Sequence, residues 1–121
     1  MADRCLLLTW GEVVRGREER ALECFNDTVG FYGRCQQDGK IESFDTVLCA
    51  PNGGRLDGFI RLEGSAKQLA DLKESRDFQR LTAEATVCVE NIAVTDAYCN
   101  QGVAQQMEIY QEVVNKVPQM S

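Results

Sequence analysis

A missing residue type does most to define the chemistry open to this sequence. None of the 121 residues is a histidine. Histidine is the most common general acid or base near neutral pH, and it completes Ser-His-Asp triads, Cys-His dyads and mixed cysteine–histidine zinc sites. The sequence excludes these arrangements. It predicts no metal site and no cofactor, so any catalysis has to use other groups.

The six cysteines are the next candidates for chemistry. No two of them form a C-x-x-C pair, the spacing on which many zinc and redox sites depend. Cys5, Cys49 and Cys99 fall in strand-like runs, and Cys24 and Cys35 fall in a helical segment. Because free cysteine is among the most frequently buried residue types, we expect buried thiols. A redox or nucleophilic thiol is the alternative.

The charge balance argues against two classes of partner. Thirteen basic and nineteen acidic side chains give 13 − 19 = −6, with a pI near 4.6. Such a surface repels nucleic-acid phosphates and anionic membranes, and Arg17 and Arg20 are interleaved with acids rather than clustered. The opening residues do not resemble a secretion signal, and no apolar run approaches the length of a membrane span. We therefore expect a cytoplasmic protein that binds neither nucleic acid nor membrane.

The pattern of apolar residues predicts alternating strands and helices. One helix has apolar residues at helical spacing, namely Ala21, Leu22, Phe25, Thr28, Val29 and Tyr32. Ser65 and Gln68 match a capping box, and Ser75 marks a kink in the helix that follows. The predicted elements are strand 4–14, helix 17–37, strands 41–50 and 55–62 around a turn at 51–54, helix from 66, strand 91–99, and a last helix from a cap at Asn100 to Val117.

This order, β-α-β-β-α-β, predicts an α+β ferredoxin-like antiparallel sheet with an extra C-terminal helix, as one domain over residues 1–121. Right-handed crossovers place both helices on one face of the sheet and leave the other face bare. Leu6, Leu7 and Leu8 are consecutive, so the first strand carries leucine on both faces. Because soluble monomers rarely expose a large apolar patch, we expect a homodimer formed through that face. Coverage by the last helix is the alternative.

Three segments resemble the dimeric α+β barrel superfamily: Leu6–Trp10, Leu72–Phe78 and Ile92–Tyr98. The resemblance spans about residues 4–99 and leaves the helix at about 101–117 as an addition. It implies a sheet-to-sheet dimer. The superfamily includes antibiotic-biosynthesis-type monooxygenases that need no cofactor, haem-degrading enzymes, lactone isomerases and stress-induced proteins without known activity. Its haem-dependent branches use a histidine that this chain lacks.

Two functions remain open, and the residues do not decide whether the chain is an enzyme. The first is a dimer that binds a small apolar or aromatic molecule in a cleft between sheet and helices. The second is a cofactor-independent monooxygenase or isomerase acting on an aromatic or polyketide-like substrate. The resemblance makes Trp10 a candidate wall of such a cleft, and the alternative is that Trp10 is an ordinary core residue. The predicted ligand-binding residues are Trp10, Phe25, Phe59, Arg61 and Tyr98.

Overall fold

The structure is a computed structural model, and it describes residues 2–118. The elements follow one another as β1 (Arg4–Trp10), α1 (Glu18–Gln37), β2 (Ser43–Leu48), β3 (Gly58–Gly64), α2 (Ala66–Glu74), α3 (Arg76–Thr86), β4 (Ala93–Tyr98) and α4 (Gln101–Lys116). Among these residues no helix is long and apolar enough to cross a membrane.

The four strands form one antiparallel sheet in the order β2-β3-β1-β4. The first and third strands in chain order lie at the centre, and the other two form the edges. This topology, with the helices following β1 and β3, is the ferredoxin-like α+β fold. The predicted fold is therefore confirmed. Each strand is shorter than predicted, and β3 is also displaced along the chain, since it begins at Gly58 and extends to Gly64.

The two faces of the sheet differ in what covers them. Leu6 and Leu8 join Ile60 and Leu62 in a core that also contains buried residues of α1, α2 and α3. Side chains alternate along a strand, so Leu7 lies on the opposite face, where it is half-buried. The sequence predicted leucine on both faces, and the register now assigns each one to its side.

Helix α1 turns a different face to the core from the one predicted. Its buried residues are Cys24, Phe31, Tyr32 and Cys35. Only Tyr32 belongs to the predicted stripe, and Leu22 is 61% exposed. The stripe prediction was wrong for the core because the cysteines supply part of the buried face. Apart from Val29, the other residues of the stripe face a cleft instead.

Local signals in the second half of the chain were more reliable. The capping box of Ser65 and Gln68 is present, and Ser75 ends α2 and caps α3 by accepting a hydrogen bond from the Phe78 amide at 3.2 Å. Asn100 occupies the N-cap position of α4 as predicted, but its side chain makes no capping hydrogen bond. Its Nδ2 instead donates to Ala2 O at 2.6 Å and to Glu63 Oε1 at 2.7 Å.

The link between β2 and β3 is a loop over residues 49–57 rather than a four-residue turn. Asn52 closes it. Its Nδ2 donates to Ala50 O at 3.0 Å and to Leu56 O at 2.6 Å, and its Oδ1 accepts from the amides of Arg55 and Leu56, each at 3.2 Å. Gly53 takes a positive φ of 83°, as turn chemistry predicts. The loop is thereby held as one wall of the cleft.

Candidate functional site

A cleft of about 880 Å³ opens between α1, the end of α3, the sheet and the 49–57 loop. Its volume lies in the range of about 300–1,000 Å³ that is usual for small-molecule sites. Leu8 and Ile60 line it from the sheet, Ala21 and Phe25 from α1, and Ala85 from α3. The residues of the predicted α1 stripe that lie outside the core, apart from Val29, therefore line this cleft.

Two aromatic rings form one corner of the cleft. Trp10 and Phe25 meet edge to face, with ring centroids 6.1 Å apart and an interplanar angle of 63°. The Trp10 ring lies over Gly58, where a Cβ atom would come within 2.9 Å of Trp10 Cζ2. The missing side chain at Gly58 is what allows the indole to lie against β3. A molecule in this corner of the cleft can contact both rings, whose planes are inclined to each other.

Tyr32 lines the cleft from its buried side. The residue is 1% exposed, and its ring packs against Phe31 and Phe44. Burial raises the pKa of this phenol far above its usual value of 10.0, so the hydroxyl is neutral at physiological pH. Among residues 2–118 no hydrogen bond is made by that hydroxyl.

Three carboxylates stand at the rim. Glu12 and Glu18 are exposed, and Asp57 is half-buried. Glu12 lies against Gly54, where an added Cβ would approach its Cδ to 2.8 Å. Glu18 accepts the Gly16 amide at 2.9 Å, and this hydrogen bond lowers its pKa below the ordinary 4.5. All the rim charges are therefore negative, because no lysine or arginine of residues 2–118 lines the cleft.

The five predicted ligand-binding residues do not share one cleft. Trp10 and Phe25 come together as described. Phe59 and Arg61 alternate with Ile60 along β3 and so lie on the opposite sheet face. Tyr98 lies beside Arg4, whose guanidinium carbon is 4.6 Å from the ring centroid. One binding site formed by all five within a single chain was therefore a wrong expectation, and the binding role of each remains a prediction.

Tyr98 and Arg4 belong to a smaller hollow of about 300 Å³. Lys73 of α2 bridges it by contacting Asp96 of β4, with Nζ 2.9 Å from Oδ1. Asp96 therefore has a basic partner on the helix above it. The ion pair links helix and sheet at an edge, and most of the Asp96 side chain is exposed, which limits its strength.

The cysteines behave as the sequence predicted. Five are buried, and Cys49 is half-buried. Cys24 lines the cleft, and burial raises its pKa, so it is a protonated thiol at neutral pH. Burial, helped by Cys5, raises the pKa of Cys99 to about 12. Protonated thiols are poor nucleophiles.

Across residues 2–118 no group of three or more Cys, Asp or Glu side chains is placed to hold a metal ion.

Sequence reasoning missed the acidic rim and the role of Tyr32. Glu12 and Asp57 are 45 positions apart in the sequence, and strand register alone brings them to the same end of the sheet. Tyr32 was assigned to a core stripe, and its burial is correct. Its unpaired hydroxyl had no signal in the sequence, because hydrogen-bond satisfaction depends on the packed neighbours.

Comparison with known proteins shows the fold alone. No family model matches the chain, and no curated protein matches it. It is similar to a dimeric protein of unknown function and ferredoxin-like fold from Bacteroides fragilis, with a TM-score of 0.58 and 9% identity over 79% of this chain and 96% of that one. It is also similar to a conserved protein of unknown function from Bacteroides thetaiotaomicron, described as a possible oxidoreductase, with a TM-score of 0.61 and 11% identity over 82% and 100% of the two chains.

Proposed function

We propose that this chain is a single-domain homodimeric protein that binds a small apolar or aromatic molecule in the cleft between α1 and the sheet. The cleft carries the proposal, because about 880 Å³ is large enough for a drug-sized molecule. Apolar residues line most of it. Leu22 and Leu48 remain 61% and 67% exposed beside it, which is unfavourable in water unless something covers them.

The dimer is supported by two apolar surfaces that the single chain leaves open. Leu7, Val47 and Phe59 are half-buried on the sheet face opposite the core. On α4, Met107 is 58% exposed and Tyr110 is 62% exposed. The Bacteroides fragilis protein is described as dimeric. A second copy of the chain carries the same two apolar surfaces. It can cover both of them, since a two-fold interface uses the same patch on each subunit.

The free thiols support a reducing compartment. All six cysteines are unbonded, and such thiols persist where glutathione and thioredoxin keep them reduced. We therefore propose that the protein acts in the cytoplasm.

Trp10 provides the direct test of binding, because it is the single tryptophan and lines the cleft. We expect the neutral dye N-phenyl-1-naphthylamine to gain fluorescence on binding and to quench Trp10 in a saturable titration. Two substitutions on α3 form a matched pair. Ala85→Phe fills the cleft and should weaken dye binding about tenfold or more, whereas Ala83→Phe lies outside it on an exposed site and should not.

Circular dichroism checks that both variants remain folded. Absence of saturable quenching in the unmodified protein contradicts the proposal without reference to either variant. Equal loss of dye binding in folded Ala85→Phe and Ala83→Phe also contradicts it, because the dye would then bind elsewhere.

An oxygenase without a cofactor is the second candidate, and one observation favours it. Trp10, Phe25 and Tyr32 surround an apolar space in which an easily oxidised aromatic substrate can lie. In such a reaction an anthrone-type methylene loses two hydrogens and gains one oxygen atom of O₂, and the second oxygen leaves as water. The substrate's own carbanion supplies the electrons, so histidine is not required.

Oxygen consumption tests this second candidate. We expect uptake with a panel of anthrones and quinols, reduced by Ala85→Phe and unchanged by Ala83→Phe. Uptake no greater than that of heat-denatured protein across the panel excludes the oxygenase and leaves the binding protein.

A further inference from the structure

The charges around the cleft all have one sign. Glu12, Glu18 and Asp57 line it, and no lysine or arginine of residues 2–118 does. None of the three carboxylates forms an ion pair with a basic side chain within those residues. An anionic molecule entering here meets uncompensated negative charge, whereas a cation gains from it.

Backbone hydrogen bonds hold the chain at Asp57 and Glu12, and the Glu18 carboxylate itself accepts a hydrogen bond. The Asp57 amide donates to Trp10 O at 2.9 Å, and Asp57 O accepts from the Cys49 amide at 2.8 Å. These two hydrogen bonds hold the backbone of Asp57 beside that of Trp10. The Glu90 amide donates to Glu12 O at 2.8 Å. Glu18 is held by the Gly16 amide. The backbone is therefore held by hydrogen bonds at the rim residues on both sides of Trp10.

The aromatic corner favours the same sign of ligand. The faces of aromatic rings carry negative partial charge, and tryptophan attracts ammonium groups most strongly. Trp10 and Phe25 are inclined at 63°, so an ammonium group between them meets two ring systems. The carboxylates and the aromatic rings therefore both favour a positively charged ligand group.

An independent observation comes from the buried side of the cleft. Tyr32 is 1% exposed, lines the cleft and has a hydroxyl without a hydrogen-bond partner among residues 2–118. Such a group is stabilised when a bound molecule brings it a polar atom. The ligand should therefore be polar at two separated points with an apolar body between them.

We propose that the cleft recognises amphiphilic amines: a protonated amino group between the acidic rim and the rings of Trp10 and Phe25, an apolar body along the apolar lining of the cleft, and a hydroxyl or carbonyl group that hydrogen-bonds to Tyr32. This inference rests on the proposed small-molecule function and names the chemical class of its ligand. It distinguishes amines from carboxylic acids of the same length and shape.

Four ten-carbon probes test it: decylammonium, decanol, decanoate and 10-hydroxydecylammonium. Their chains match, and only the end groups differ. Affinity is measured below micelle-forming concentrations from the Trp10 emission shift and from displacement of N-phenyl-1-naphthylamine. We expect decylammonium to bind at least about tenfold more tightly than decanoate at low salt, with decanol between them, and added salt should reduce that ratio.

A triple variant tests whether the rim is responsible. Glu12→Gln, Glu18→Gln and Asp57→Asn together should bring the affinities of decylammonium and decanoate within about threefold of each other. The control is Glu19→Gln, Asp27→Asn and Glu42→Gln, three exposed acids outside the cleft that alter net charge by the same amount. The control should keep the preference, since it removes only long-range attraction.

Tyr32→Phe tests the second contact, because it removes one oxygen and keeps the ring. In the unmodified protein the added hydroxyl of 10-hydroxydecylammonium should increase affinity over decylammonium about threefold to tenfold. In Tyr32→Phe that gain should disappear. A gain of the same size in both proteins overturns the role of Tyr32.

The outcomes separate the two proposals. If decanol binds and decylammonium has no advantage over decanoate, the amine inference is overturned and the apolar binding site stands. If no probe binds and N-phenyl-1-naphthylamine also fails, the binding function itself is overturned. A preference for amines that survives the rim variant shows that overall charge causes it, which also overturns the inference.

Discussion

At the scale of single residues, small gaps in the packing decide where the important side chains lie. Gly58 is buried, and the space above its Cα holds the Trp10 ring. A Cβ there would also approach Val47 O to 2.7 Å. That oxygen belongs to the backbone of β2 and cannot move aside easily. By contrast, nothing lies within 4 Å of a Cβ added to Gly33 in α1.

Gly58→Ala and Gly33→Ala should therefore change stability in opposite directions. We expect Gly58→Ala to lower the free energy of unfolding by about 1–3 kcal/mol through overpacking and to shift Trp10 emission. Gly33→Ala should raise it by about 1 kcal/mol, because alanine is the better helix former. Urea unfolding measures both. A stable Gly58→Ala with unchanged emission contradicts the packing described for Trp10.

Glu63 connects three parts of the chain through one carboxylate. Its oxygens accept hydrogen bonds from Asn100 Nδ2 at 2.7 Å and from Ser43 Oγ at 3.2 Å. The Asn100 hydrogen bond is the main cause that lowers the pKa of Glu63 below the ordinary value of 4.5, with Cys99 and Ser43 adding to it and burial opposing it. The carboxylate form is therefore favoured by folding.

Glu63 should make the stability of the protein depend on pH. The folded pKa of Glu63 is below the unfolded one, so its contribution is complete above pH 4.5 and is lost as pH falls through the lowered folded pKa. Glu63→Gln should reduce stability by about 1 kcal/mol at neutral pH and by less in acid. Glu74→Gln, an exposed residue of α2, is the control. A Glu63→Gln penalty that stays constant down to the acid range would falsify the assignment.

At the scale of elements, short-range signals predicted helix boundaries well and side-chain faces less well. The Ser75 kink depends on residues only three positions apart, so the local sequence contains all the information. The orientation of α1, by contrast, is not determined by residues close in sequence. Phe25 and Phe31 are both apolar, and only the docking of α1 against β2 and α3 determines which enters the core and which lines the cleft. The cleft therefore could not be derived from the pattern of apolar residues.

The cap at Ser75 gives a prediction for this scale. Ser75→Ala removes the acceptor for the Phe78 amide at the start of α3 and should lower the free energy of unfolding by about 1 kcal/mol. Ser75→Asp keeps an acceptor and adds a negative charge near the positive end of the helix dipole, so it should restore most of that loss. Chemical denaturation of the two variants measures the difference. Equal losses in both would show that the hydroxyl does not act as a cap.

At the scale of the whole molecule, the sheet divides the chain into a covered side and an open side. The sequence was sufficient to predict this division, because the order of strands and helices limits right-handed crossovers to one face. It was not sufficient to say which leucine lies on which face. A shift of one residue in register exchanges the two faces of a strand, and the structure places Leu8 in the core at 4% exposure and Leu7 opposite it.

Adjacent substitutions in β1 can therefore separate folding from assembly. Leu8→Asp should prevent folding, since it leaves an unpaired charge in the core. Leu7→Asp should remain folded and dissociate the proposed dimer, shifting the sedimentation coefficient from that of a dimer to that of a monomer. Circular dichroism identifies the folded species. An unmodified protein that sediments as a monomer at micromolar concentration removes the dimer, and a dimeric Leu7→Asp moves its interface away from this face.

The closed 49–57 loop has a consequence for the chemical ageing of the protein. Asn52 precedes Gly53, and an asparagine followed by glycine is the sequence most prone to deamidation, since no side chain hinders attack by the next backbone nitrogen. Four hydrogen bonds hold the Asn52 side chain in one orientation, and deamidation has to disrupt them. Conversion to a carboxylate would replace two donated hydrogen bonds by repulsion from Ala50 O and Leu56 O. Deamidation of Asn52 would therefore destabilise the closed loop that forms one wall of the cleft.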